Sequence, residues 1–146
     1  MKVNFDGASQ GNLGPSGVGF IVEDWNGHVM FFGAKKLDSG TNNIAEVFAA
    51  LMVVKFSRQA GVSKLHLEGD SLVIIQAIMK GSIEARHLQN AIINIIEELN
   101  KFDDYKISHV NRMGNKEADV LSKWALSFNE IGEFIFEDMR YLSFDD

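Results

Sequence analysis

The sequence predicts an α/β protein built on a mixed five-stranded sheet flanked by helices. Three observations carry this expectation. Three short alternating segments crowd the N-terminus; the apolar period becomes helical after about residue 42; and the later strand-like segments are separated by helices.

The elements follow in order. Lys2–Asp6 alternates and stops at Gly7, which predicts a first strand. Residues 17–22 and 28–34 predict a second and a third, joined through Asn26-Gly27, a type I′ hairpin signal. Gly11-Asn12-Leu13-Gly14-Pro15 makes an irregular turn between the first two. From Asn43 to Ala60, two adjoining apolar stripes predict a helix: Ile44, Phe48 and Leu51, then Ala45, Ala49, Met52 and Phe56. Residues 64–68 alternate as a fourth strand. Two apolar helices follow, Ser71–Met79 and His87–Asn100, then a fifth strand at Tyr105–Val110 and a helix at Asn115–Phe128. The opening meander is antiparallel, and right-handed helical crossovers return the later strands in parallel. The expected spatial order is 3-2-1-4-5, with a topological switch between the first and fourth strands.

Composition bounds the function. The chain has 146 residues, 46% apolar and 23% charged, enough for one domain with its own core. It contains no cysteine, which excludes disulfides and thiolate metal sites. No run approaches the ~18 apolar residues of a membrane span, and the N-terminal MKVNFDGAS has no apolar signal-peptide region. A monomeric cytoplasmic protein is expected, nuclear or organellar if the source is eukaryotic. Residues 1–128 form the expected folded domain, and 129–146 an acidic tail that either packs as a final helix or hangs free.

Asp6 and Asp70 fall at the carboxyl ends of strands that the expected order makes neighbours. Glu46 sits near the start of the first helix and Asp119 near the start of the last. Four converging carboxylates are costly unless a cation or proton compensates, and as hard oxygen ligands they suit Mg²⁺ or Mn²⁺, not Zn²⁺. Each acid also has a plainer reading. Asp6-Gly7 can be a turn, Asp70 a helix N-cap, Glu46 the far end of a capping box from Asn43, and Asp119 a partner of the helix dipole.

Four blocks then carry a resemblance: Phe5-Asp6-Gly7-Ala8-Ser9 with Gly11-Asn12 and Gly14; Thr41-Asn42-Asn43-Ile44-Ala45-Glu46; Leu67-Glu68-Gly69-Asp70-Ser71; and His109-Val110-Asn111-Arg112 through Asn115-Lys116-Glu117-Ala118-Asp119. In this order and spacing the chain resembles the ribonuclease H family, type 1 branch, especially its plant-type and retroelement-like members. The family fold is the mixed five-stranded sheet expected above. The resemblance implies endonucleolytic cleavage of the RNA strand of an RNA–DNA hybrid, leaving a 5′-phosphate and a 3′-hydroxyl. It implies two Mg²⁺ ions, replaceable by Mn²⁺, held by Asp6, Glu46, Asp70 and Asp119. Asn12, Asn42 and Asn43 match minor-groove contacts, and Thr41 matches a contact to a phosphate of the DNA strand. His109 matches a mobile histidine that aids product release or proton transfer, a task that plant-type members often build around the Arg112 position instead.

Two departures bear on substrate grip. Residues 80–86 form a short segment without tryptophan where many relatives carry a basic helix and loop, and Leu72 replaces a polar residue that often touches substrate. A catalytically weak hybrid-binding or interaction module is the alternative of another class, and an integrase-like nuclease lacks the Thr-Asn-Asn-x-Ala-Glu block. The Gly-rich run at 11–19 has no Gly-Lys-Ser/Thr and leads into a strand, which excludes a P-loop.

A formal net charge of −6 argues at first against a polyanionic partner. Residues 126–146 carry −5 of it, and residues 1–125 only −1. Setting aside the four acids proposed as ligands, that body is +3.

Overall fold

A computed structural model describes residues 1–141. β1 (Lys2–Ser9), β2 (Ser16–Glu23) and β3 (Val29–Leu37) form the antiparallel meander. α1 (Asn42–Gln59) crosses to β4 (Lys64–Gly69), which pairs in parallel with β1. α2 (Leu72–Lys80) and α3 (Gln89–Leu99) lead to β5 (Asp104–His109), parallel to β4. α4 (Lys116–Ala125) follows, and then β6 (Phe134–Asp138), antiparallel to β3.

The sheet therefore has six strands in the order β5-β4-β1-β2-β3-β6. This contains the expected 3-2-1-4-5 order and corrects its strand count. The tail supplies the extra strand, and its described part neither hangs free nor makes a final α-helix. Phe134 and Phe136 stack near Phe56 of α1, while Ile135 packs with Ala34, Ala125 and Phe128 on the other side. Arg140 closes the segment, donating to the Ala60 carbonyl at the end of α1 at 2.7 Å. Residues 142–146 of the tail lie outside the described residues.

Several boundaries also move. β1 runs three residues beyond Asp6, because its antiparallel ladder with β2 continues to Ser9↔Ser16. The hairpin closes through Gly27 N–H to Asp24 C=O at 3.0 Å, with Asp24 Oδ1 also accepting from Asn26 and His28. It is thus centred on Trp25-Asn26, with Gly27 following at φ 86°, and is not a type I′ turn on Asn26-Gly27. The third helix starts after a 3-10 turn at Arg86–Leu88.

Alternation along β1 divides its side chains. Val3 and Phe5 enter the main core under α1 and α3, while Asn4 and Asp6 face the α4 side. Two glycines set how close the helices come. A Cβ on Gly7 would lie 2.3 Å from the Ala45 carbonyl carbon, and one on Gly19 would lie 2.5 Å from the Ser122 nitrogen. α1 and α4 thus press on opposite faces near the end of β1 that carries Asp6. No helix among the described residues is long and apolar enough to cross a membrane.

Candidate active site

At the carboxyl ends of β1 and β4, Asp6, Glu46 and Asp70 each offer a carboxylate oxygen, and these oxygens lie within 4.8 Å of one another. Asp6 is 5% exposed and Glu46 7%. The three line a cleft of about 510 Å³ together with Asn42, Arg112 and Asp119.

Each acid is placed by a local cause. Asp6 continues β1 past the point where the ladder to β4 ends, at Phe5↔Gly69. Asp70 follows β4 directly and is not a cap, because Ser71 Oγ accepts the Ile74 N–H at 3.4 Å and starts α2. Glu46 is not part of a capping box. Thr41 caps α1 by accepting from Ile44 N–H at 3.2 Å, and Glu46, in the second turn, reaches β1 and accepts the Gly7 N–H at 3.1 Å. Asp119 stands in the first turn of α4, where the helix dipole favours it, and its Oδ2 meets Lys123 Nζ at 3.0 Å. It joins Asp6 from the side through Ser122, whose hydroxyl lies 2.8 Å from the Asp119 carbonyl and 3.4 Å from Asp6 Oδ2.

Burial and mutual proximity make the clustered carboxyls hard to ionise together. Glu46 Oε2 is buried and has no hydrogen-bond partner among the described residues. Burial, then the Asp6 carboxyl beside it, push Glu46 far above the usual carboxylate range. Burial also raises Asp6; hydrogen bonding with Glu46 opposes that, and the charge of Asp70 adds to it. Burial works upward on Asp119 too, but Lys123 and hydrogen bonding with Asp6 outweigh it and hold this carboxyl low. The cluster therefore holds either a shared proton or a cation. The orphaned Oε2 and an all-oxygen donor set fit a hard divalent ion at Asp6, Glu46 and Asp70.

The other predicted residues spread around this centre. Asn42 lines the cleft and accepts from Ser9 N–H at 3.0 Å through Oδ1. Thr41 is occupied as the cap, and Asn43 lines a neighbouring groove with Val73 and Lys80. His109 is exposed, its Nε2 3.1 Å from the Asp70 carbonyl oxygen. Arg112 opens the 3-10 turn before α4 and lines the cleft. The side chain of Asn12 lies outside the described residues. Sequence reasoning missed Lys123 and Ser122, although their i+4 and i+3 spacing from Asp119 puts them on its helix face. It also missed Asn4, which shares the Asp6 face by alternation, and Asn115, one helical turn before Asp119.

Known proteins resemble this chain in sequence and in fold. The family model described as Reverse transcriptase-like matches residues 4–125. Ribonuclease HI of Halobacterium salinarum is 33% identical over 124 residues, covering 84% of this chain and 62% of that protein. The chain thus spans less than two thirds of that relative's length. The crystal structure of RNase H1 from Halobacterium salinarum superposes with a TM-score of 0.82 at 32% identity, covering 86% of this chain and 96% of the other. The structure of LC11-RNase H1 in complex with an RNA/DNA hybrid shares the fold, with a TM-score of 0.77 at 23% identity, covering 86% and 95%. The matched region ends before β6.

Proposed function

The chain belongs to the ribonuclease H family, type 1 branch, and on that premise we propose that it is an endonuclease that hydrolyses the RNA strand of RNA–DNA hybrids. The observation that carries the reading is the triad of Asp6, Glu46 and Asp70 with its buried, unpartnered Glu46 oxygen. A hybrid-binding module without chemistry has no need of such a cluster.

Asp6, central in the cluster, would hold both of two Mg²⁺ or Mn²⁺ ions. Asp119 would help hold the ion on the water side, and Glu46 and Asp70 the other. When bound, such ions lower the pKa of the attacking water and stabilise the leaving 3′-oxygen in an in-line displacement, giving 5′-phosphate and 3′-hydroxyl ends. The chain's own groups do the rest. Gly7 N–H orients Glu46, and Ser122 links Asp6 to the first turn of α4. Asn12, Asn42 and Asn43 would read the minor groove, where 2′-hydroxyls mark the RNA strand. Thr41 would meet a DNA phosphate, Arg112 a phosphate at the cleft mouth, and His109 would carry a proton or ease product release from the rim beside Asp70.

The test is cleavage of a labelled RNA–DNA hybrid with Mg²⁺ or Mn²⁺, with duplex DNA as the control substrate. Cutting of the RNA strand alone supports the reading, and inertness with both ions refutes it.

A further inference from the structure

Asn115 is fully buried, 0% exposed, at the junction where the 3-10 turn of residues 112–115 becomes α4. Its Nδ2 donates to the Phe5 carbonyl at 2.9 Å. A carbonyl only accepts, so this bond fixes the amide's orientation and turns Oδ1 towards Asn4. Asn4 Nδ2 donates to that oxygen at 3.1 Å and to Glu68 Oε2 at 3.1 Å. The line of amides therefore joins α4, β1 and β4.

Those are the elements that carry Asp119, Asp6 and Asp70, and each bond falls close to the acid it serves. Phe5 precedes Asp6, Glu68 lies two residues before Asp70, and Asn115 lies one helical turn before Asp119. Asn4 and Glu68 face each other in the β1–β4 ladder, one step before it ends at Phe5↔Gly69, so their bond lies at the last paired positions before the acids. The side chains of Asn4 and Asn115 reinforce that last step of the ladder and tie it to the start of α4, which the ladder itself does not reach.

We propose that Asn115 and Asn4 are positioning residues that hold Asp6, Asp70 and Asp119 at the separation needed for divalent ions. The proposal rests on the reading of the acidic cluster as a cation site. Neither amide lines the cleft, so both act through the acids. Groups that orient metal ligands in this way are typically worth about 10- to 100-fold in ion affinity.

The test is calorimetric titration of Mn²⁺ into the folded, substrate-free protein, together with hybrid-cleavage kinetics. Asn115→Ala is expected to weaken Mn²⁺ binding by about 10-fold or more and to lower kcat, with KM for the hybrid unchanged. Asn4→Ser keeps the Asn115–Phe5 bond, and its expected effect is smaller and in the same direction. It carries the test if Asn115→Ala does not fold. A purely structural role would lower Tm while leaving Mn²⁺ affinity and kcat of the folded variants at wild-type values, and that result overturns the proposal. Failure of the wild type itself to bind Mn²⁺ or cut the hybrid would instead refute the underlying reading of the site.

Discussion

Glu46 Oε1 takes the N–H of Gly7 at 3.1 Å, and this bond between α1 and β1 leaves Oε2 buried with no partner among the described residues. Beside Asp6 and Asp70, the buried Glu46 carboxyl is compensated only by a proton shared with Asp6 or by a cation. Such an arrangement trades stability for readiness to bind a cation.

Glu46→Gln keeps the shape and removes the carboxyl that must hold a proton to stay buried beside Asp6 in the metal-free fold. Without added metal at neutral pH, the variant should be more stable than wild type by about 1 kcal/mol, a rise in Tm of about 2–4 °C. It should also lose most of the stabilisation that Mg²⁺ confers. Thermal unfolding with EDTA and with Mg²⁺ checks both, and a lower Tm in EDTA would count against the repulsion described above.

The same charges set a pH dependence. Asp6 and Glu46 have raised pKa values in the folded state, so the native protein retains protons that the unfolded chain releases. Stability of the metal-free protein should then fall as pH rises above about 4, the ordinary carboxylate range, and keep falling through the folded-state values. Saturating Mg²⁺ should flatten the decline. Melting curves from about pH 5 to about pH 8, with and without Mg²⁺, measure it, and identical slopes would contradict the account.

Gly7→Ala tests the close approach that aims Glu46. The added Cβ would meet Ala45 and Glu46 backbone at 2.3 and 2.4 Å, so α1 must shift away from β1. A loss of about 2–3 kcal/mol in denaturant unfolding is expected, together with weaker Mn²⁺ binding.

Removal of residues 129–146 tests whether the tail belongs to the domain. It would uncover Phe56 and Phe31 and delete the Arg140 contact to the end of α1. A loss of about 3 kcal/mol or more is expected from the apolar surface exposed. Unchanged unfolding would show that β6 adds nothing to the fold.

Hybrid binding should depend only shallowly on salt. Outside the ligand acids, residues 1–125 carry a net +3, and bound cations offset the ligands' own charge. A slope of log affinity against log salt of about −3 or shallower is expected. A slope near −10, like that of a strongly basic protein, would contradict this.

Much of the site was legible because it lies on regular periods. The strand pattern put Asp6 close to the carboxyl end of one strand, although β1 runs on to Ser9, and Asp70 just past the next parallel one, and strand order made them neighbours. The role of Glu46 was harder to read. Thr41, Asn42 and Asn43 are all capable caps, and the choice is made by tertiary contacts, with Asn42 engaged by Ser9 and Thr41 left to cap. The strand β6 was hidden for a different reason. Phe134, Ile135 and Phe136 are covered on both faces, so they show no alternation. The Asn115–Asn4 pair spans 111 residues of sequence, and no local pattern marks it.

The proposed role of the acidic cluster is to cut RNA. The most direct measurement follows an end-labelled RNA strand paired with DNA, incubated with Mg²⁺ and either wild type or Asp70→Asn. The wild type should cut the RNA and spare duplex DNA, while a folded Asp70→Asn protein should be slower by about a thousand-fold or more. Undiminished cutting by Asp70→Asn, or an inert wild type with both Mg²⁺ and Mn²⁺ at low salt, would contradict the account.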